Sequence, residues 1–160
     1  MKVFHDSETP ADGKQVITAC AFIHTEFEGA TKLFRARRAA TKKFLPNIFE
    51  LPGGHIDFGE DIVDGLKREV MEELQMSVTI GDPFAAFTYL NEIKGSHSLE
   101  VIYFARFVEP IENIRLNPED HTEYRWFGLD ELESIPGTDR EFKCVKRGFE
   151  LLKGSGLNFG

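Results

Sequence analysis

Cysteine is scarce in this chain. Cys20 and Cys144 are the two among 160 residues, they form no CxxC pair, and two thiols make no disulfide framework. Long hydrophobic runs are missing too: no stretch approaches the ~18 apolar residues of a membrane helix, and the opening MKVFHDSETPADGK carries no apolar segment of a secretory signal. Positive charge is in deficit, with 19 Lys and Arg against 27 Asp and Glu, a formal net charge of −8 and a pI near 5.2. That balance speaks against a broad electrostatic footprint on extended nucleic acid or on an anionic membrane. It leaves room for a small anionic ligand held through a cation. Repeats and low-complexity tracts are lacking as well. The expectation from these gaps is a cytoplasmic protein with no membrane partner.

What the chain has is enough apolar residue for a core, 41% of the total, beside 29% charged residues. Its length suits one domain, expected over residues 1–160 with a polar arm at 1–14 and a frayed tail at 154–160. QVITACAFIH, residues 15–24, is a short, nearly continuous apolar run and reads as a strand buried on both faces. TKLFRARR, 31–38, reads as its hairpin partner across a turn at 25–30. Arg35, Arg37 and Arg38 make the main basic cluster, either solvated surface or a phosphate clamp. A short strand is expected at 48–51, ended by Pro52. Strands are expected near 84–90, after a break at Gly81–Pro83, then at 98–108 and 124–127. A helical turn is expected at 129–134 and an amphipathic helix at 140–153. Strands mixed with two helices point to a mixed central sheet with helices on opposite sides, an α+β fold.

The stretch 51–76, LPGGHIDFGEDIVDGLKREVMEELQM, is the most informative. Gly53 and Gly54 permit backbone angles and close approaches that a side chain forbids. From residue 62 to 74, Ile62, Leu66, Val70 and Leu74 recur every four residues and form one apolar helix face, with Gly65 inside it. On a wheel of about 100° per residue, Glu69, Glu72 and Glu73 do not lie opposite that face. They overlap it, and Glu73 points partly into it. A carboxylate driven toward a core must be paired, neutralised or metal-bound. Oxygen-only ligands of this kind suit a hard cation, Mg²⁺ or Mn²⁺, and not zinc. Arg68 in the same turn can lock a carboxylate in a two-pronged contact, with Glu60 able to receive it.

The same stretch resembles the signature of the Nudix hydrolases, G-x5-E-x7-R-E-U-x-E-E-x-G-U with U a bulky apolar residue. It is met here by Gly54, Glu60, Arg68, Glu69, Val70, Glu72, Glu73 and Met76. Gln75 departs from it, standing where the pattern has the Gly that eases a left-handed helix exit. IFELPGG before the box and EYRWF followed by LDEL are also similar to the family. The resemblance implies a Nudix-type α/β/α sandwich with a mixed sheet. It implies metal-dependent cleavage of a nucleoside diphosphate linked to another group X, by in-line attack of water on phosphorus. Glu69, Glu72 and Glu73 would be metal ligands with the Gly53 carbonyl a fourth, and Glu60 and Arg68 a supporting pair. Such enzymes often add an acid from a distant loop; Glu119, Asp120 and Glu123 qualify, and Asp120 is favoured as the base.

The expected partner is a small nucleotide, first a (d)NTP or oxidised (d)NTP. ADP-ribose, nucleotide sugars and dinucleoside polyphosphates stay open, as does a homodimer. The competing readings are a nucleotide-binding module without turnover and a solvated acidic helix with no site. Phe44, Phe49 and Phe84 are candidates to stack a base, each with the core as its alternative.

Overall fold

The computed structural model describes residues 10–134 and 137–154. Residues 1–9 of the expected arm and 155–160 of the expected tail lie outside them. The first strand, β1 (Gln15–Phe27), is buried on both faces as its apolar run requires: Ala19, Ala21 and Ile23 face one way, Cys20 and Phe22 the other. It turns into β2 (Ala30–Arg38) through two residues, Glu28 and Gly29, both at positive φ (52° and 82°). Such a turn matches the twist of a hairpin, so the loop is shorter than the six residues expected. Next come β3 (Phe49–Glu50), β4 (Gly53–His55) and helix α1 (Ile62–Leu74). They are followed by β5 (Val78–Asn91), β6 (Ser96–Phe107), β7 (His121–Phe127), a 3₁₀ turn at Leu129–Ser134, and helix α2 (Asp139–Leu152).

β5 runs through the expected break. Gly81–Pro83 sits in a bulge, with register shifts on both sides of Pro83. Proline cannot donate to a ladder and is tolerated at bulges and edges, and β5 ends the strand order β3-β2-β1-β6-β5. β6 lies parallel to β1, Gln15↔His97 through Ile23↔Ala105. β1 pairs antiparallel with β4 at Thr18–Cys20 and with β2 from His24 onward. β7 lies on the far side of β2.

Each helix covers one face of this mixed sheet. Leu66, Val70 and Leu74 of α1 pack on Ala19, Ala21, Phe34 and Tyr103, while Val145 and Phe149 of α2 pack on Phe22, Leu33, Ile102 and Phe127. The α/β/α sandwich is therefore present. α1 begins where Asp61 accepts from the Val63 and Asp64 N–H groups at 3.0 and 3.2 Å, as an N-cap should. It ends at Gln75 in the left-handed region, φ 56° and ψ 38°. The left-handed exit is thus kept without glycine. No helix among the described residues is long and apolar enough to cross a membrane.

Candidate active site

A cleft of about 330 Å³ opens where β1 changes partner from β4 to β2. Gly53 and Gly54 form its rim. Gly53 has φ 152°, and a Cβ there would collide with the Ala19 carbonyl; a Cβ on Gly54 would meet the Glu69 carboxylate at 2.5 Å. The two glycines thus let α1 bring its acids against the backbone. Glu69 and Glu73 are buried, 8% and 6% exposed, and Glu72 faces the open cleft. The Gly53 N–H donates to Glu73 at 3.0 Å. Burial pushes Glu69 up to about 7 against the pull of Arg68. Burial, then repulsion by Glu50 and Glu69, holds Glu73 well above the usual carboxylate range.

Arg68 organises this group. It donates to both oxygens of Glu60 at 2.8 and 2.9 Å, to the His55 carbonyl at 3.0 Å, to Glu69 at 3.0 Å and to Glu72 at 3.4 Å. Glu60 also accepts from the Asp57 N–H at 3.0 Å. The Glu60 hydrogen bonds first, and then the Glu69 carboxylate, hold its proton more firmly still. Gly65 acquires a reason here: a Cβ would meet Glu60 at 2.6 Å and Ile56 at 2.7 Å.

The opposite wall comes from β3, β7 and the loops before them. His121 Nε2 lies 2.8 Å from Glu50, and its Nδ1 lies 3.4 Å from Glu73. Burial works to raise Glu50, but the His121 hydrogen bond and the Arg38 charge outweigh it and hold its carboxyl below the usual range. Asp120 lines the cleft beside Glu119 and pairs with Lys42 at 3.2 Å; it is near enough to Glu69 and Glu73 to raise both. Glu123 is elsewhere, paired on the surface with Arg37 and Arg125.

The basic cluster splits. Arg38 lines the cleft and meets Glu50 at 3.3 Å, and Arg37 faces outward. Arg35 is neither surface nor clamp: it is 3% exposed and bonds Glu141 and the Phe49 carbonyl at 2.8 Å each. It shares a face of β2 with the buried Leu33, and α2 brings Glu141 over its guanidinium. Of the three aromatic candidates, Phe44 lines the cleft, Phe49 is core, and Phe84 stacks on Phe104. Glu50, His121, Lys42, Asn117 and Glu100 also line the cleft, and sequence reasoning did not single them out. They meet through strand pairings such as Ala36↔Glu50 and Arg38↔His121, which join distant parts of the chain.

The residues present fit a divalent cation. The cleft carries seven carboxyl groups and three Lys or Arg side chains among the described residues. The buried Glu73 has no Lys or Arg contact among them, and His121 Nδ1 beside it has no hydrogen-bond partner. Buried acids so arranged are stabilised by a cation between them. Glu50, Glu73 and His121 bring ligand atoms within 4.8 Å of one another.

The NUDIX domain family matches residues 14–147. The chain is 30% identical over 103 residues to bis(5'-nucleosyl)-tetraphosphatase [asymmetrical] of Rattus norvegicus, covering 63% of this chain and 69% of the rat protein. It is 27% identical over 96 residues to 8-oxo-dGTP diphosphatase of Buchnera aphidicola, covering 60% and 68%. A 48-residue match at 35% identity to the m7GpppN-mRNA hydrolase NUDT17 of Danio rerio covers 30% of this chain and only 16% of that protein. Among solved structures, an Ap4A hydrolase of C. elegans superposes with a TM-score of 0.73 at 22% identity, covering 87% of this chain and 98% of that one. The MutT protein of Methanosarcina mazei Go1 superposes with a TM-score of 0.70 at 22% identity, covering 91% and 97%. The sandwich these two share with the chain, and the family match across nearly its whole described length, bear out the resemblance carried by residues 54–76: the chain belongs to the NUDIX domain family.

Proposed function

We propose that the protein is a divalent-cation-dependent pyrophosphohydrolase that cleaves a nucleoside diphosphate linked to X, with (d)NTPs and oxidised (d)NTPs as its first substrates. The observation that carries this reading is the placing of Glu69 and Glu73 inside the protein, against Gly53 and Gly54, with Glu72 beside them in the cleft. A stability-driven helix would turn those acids to water. A cleft this rich in acid repels a polyphosphate unless cations intervene.

Glu69, Glu72, Glu73 and the Gly53 carbonyl would hold Mg²⁺ or Mn²⁺, which when bound neutralises phosphate charge and activates water. Arg68, fixed by Glu60, aims Glu69 and Glu72 and keeps them from drifting apart. Arg38 and Lys42 bring positive charge to the cleft, where it would meet the substrate's phosphates. Asp120 takes the proton of the attacking water, and Lys42 at 3.2 Å orients its carboxylate. The cleft volume lies near the lower end of the range of about 300–1,000 Å³ typical of small-molecule sites, which favours one nucleotide over two.

The test is product release from a panel of (d)NTPs, 8-oxo-dGTP, ADP-ribose, a nucleotide sugar and Ap4A, with Mg²⁺, with Mn²⁺ and with EDTA. The expected outcome is pyrophosphate release from a triphosphate that EDTA abolishes. Tight nucleotide binding with no turnover on any substrate would instead favour a binding module.

A further inference from the structure

Thr122 is an extra residue in β7. The ladder with β2 shifts between Arg37↔Glu123 and Arg38↔His121, so two steps along β7 answer one along β2. Two residues apart, His121 and Glu123 would otherwise share a face; a bulge re-aims one of them. Glu123 stays with Arg37 on the surface, and His121 turns with Arg38 into the cleft. There the ring is 2% exposed. Its Nε2 lies 2.8 Å from Glu50, and Arg38 donates to the same carboxylate at 3.3 and 3.4 Å. Against burial, these contacts hold Glu50 ionised. Its Nδ1 faces Glu73 at 3.4 Å and has no hydrogen-bond partner among the described residues.

An ionised carboxylate only accepts, so the ring's proton sits on Nε2 and Nδ1 presents a lone pair. Aimed at a second carboxylate, that lone pair is a misfit, because a buried acceptor without a donor is costly and two facing acceptors repel. A cation between them relieves both. Histidines that bind metals have this arrangement, one nitrogen donating to a carboxylate and the other bare. We infer that Nδ1 of His121 is a nitrogen ligand to the cation held by Glu73, with Glu50 orienting the ring, and that it tilts the cleft toward a first-row transition metal over Mg²⁺; the inference rests on the cation-dependent reading above. The acids of 51–76 offer oxygen alone, the donor that Mg²⁺ prefers, whereas imidazole suits the later first-row metals. His121 and its bulge thus decide which ion the site takes.

The test uses Co²⁺ as the probe and Mg²⁺ as its competitor, with no nucleotide present. Bound Co²⁺ moves the ring protons of a ligating imidazole far outside the ordinary NMR range, and Nε2–H adds one shifted resonance that D₂O removes. The wild-type chain is expected to show that resonance and to bind Co²⁺ more tightly than Mg²⁺. His121→Asn, which puts an amide where Nδ1 stood, should lose the resonance and bind Co²⁺ at least about tenfold more weakly, with Mg²⁺ binding little changed. A merely structural histidine would weaken both alike. Thermal midpoints in EDTA establish that the variant is folded. Glu50→Gln keeps an acceptor for Nε2–H but no charge; it should shift the resonance and weaken Co²⁺ binding by about 10–100-fold, and it decides the matter where His121→Asn does not fold. Co²⁺ bound without the resonance, the resonance kept in folded His121→Asn or unmoved in Glu50→Gln, or equal losses of Co²⁺ and Mg²⁺ overturn the ligand. Each of these leaves the hydrolase reading standing, and a chain that shows the resonance yet hydrolyses nothing overturns only the hydrolase reading.

Discussion

The two helices each drive a glutamate into the protein, and they treat it differently. Glu141 of α2 meets Arg35 at 2.8 Å across the sheet, and both side chains are almost wholly buried. Glu73 of α1 meets a backbone N–H and a histidine, with three other acids bearing on it. Glu141 is a closed account: its charge is answered inside the protein. Even so, burial and then Glu50 leave its carboxyl raised despite the Arg35 charge, so the pair recovers only part of its desolvation cost. Glu73 meets no Lys or Arg among the described residues, only that N–H and the histidine. The difference separates a buried acid that holds the fold from one that waits for a ligand.

If this contrast is right, breaking the α2 pair damages the fold and breaking the α1 set damages turnover. Glu141→Ala strands a guanidinium that is 3% exposed, and such losses cost about 3–5 kcal/mol. Denaturant unfolding should show a loss of that order, with turnover of the remaining folded protein near wild type. Stability within error of wild type would remove the distinction. Glu72→Gln should do the reverse. Its side chain is exposed and its contacts with Arg68 are long, at 3.4 Å, so the midpoint should barely move. Losing one cation-holding oxygen where charge develops should lower kcat by roughly 10²–10³-fold or more. Near-wild-type turnover there would sink the metal-ligand assignment.

The pH dependence sharpens the same contrast. Burial raises Glu69 to about 7 and holds Glu73 well above the usual carboxylate range. With folded pKa values above the unfolded ~4.3, the folded state holds more protons. Stability of the metal-free protein should therefore be full below that value, fall as pH rises through it, and level off once Glu69 and Glu73 have ionised. Cations bind only the ionised carboxylates, so stabilisation by Mg²⁺ should grow across the same interval. Thermal midpoints from pH 5 to 8, with Mg²⁺ and with EDTA, check this. Two parallel curves would mean that these acids do not hold the ion.

α1 was legible down to its bounds. The four-residue recurrence of Ile62, Leu66, Val70 and Leu74 is a local signal, and the wheel placed Glu73 inward from the sequence alone. The opposite wall was not legible. Glu50 and His121 reach Glu73 only because β2 collects β3 on one edge and β7 on the other, and one sequence carries no mark of such pairings. Arg35 lay between these cases. It was expected at the surface or in a phosphate clamp, yet it lies two residues from the buried Leu33 on the same face of β2, and the partner that holds it there is 106 residues away. Glu123 entered as a loop candidate because β7 was expected to begin at Tyr124. The strand begins at His121, and its alternation turns Glu123 toward Arg37 and Arg125.

The smallest expected effect concerns how the two helices end. α2 leaves through Lys153 in right-handed backbone, φ −80° and ψ −1°, at no steric cost. α1 leaves through Gln75 at φ 56°, where an L-residue pays about 1–2 kcal/mol. Gln75 is exposed, and its N–H to the Met71 carbonyl, 3.0 Å, is one any residue makes there. Gln75→Gly should remove the steric cost, while the freer unfolded chain takes back up to about 1 kcal/mol. The net gain should be at most about 1 kcal/mol, read as a higher urea midpoint at unchanged slope. Turnover should not change, because the catalytic face of α1 lies on the turns before this exit. A lower midpoint would mean that the Gln75 side chain stabilises the end of α1 by more than its backbone costs.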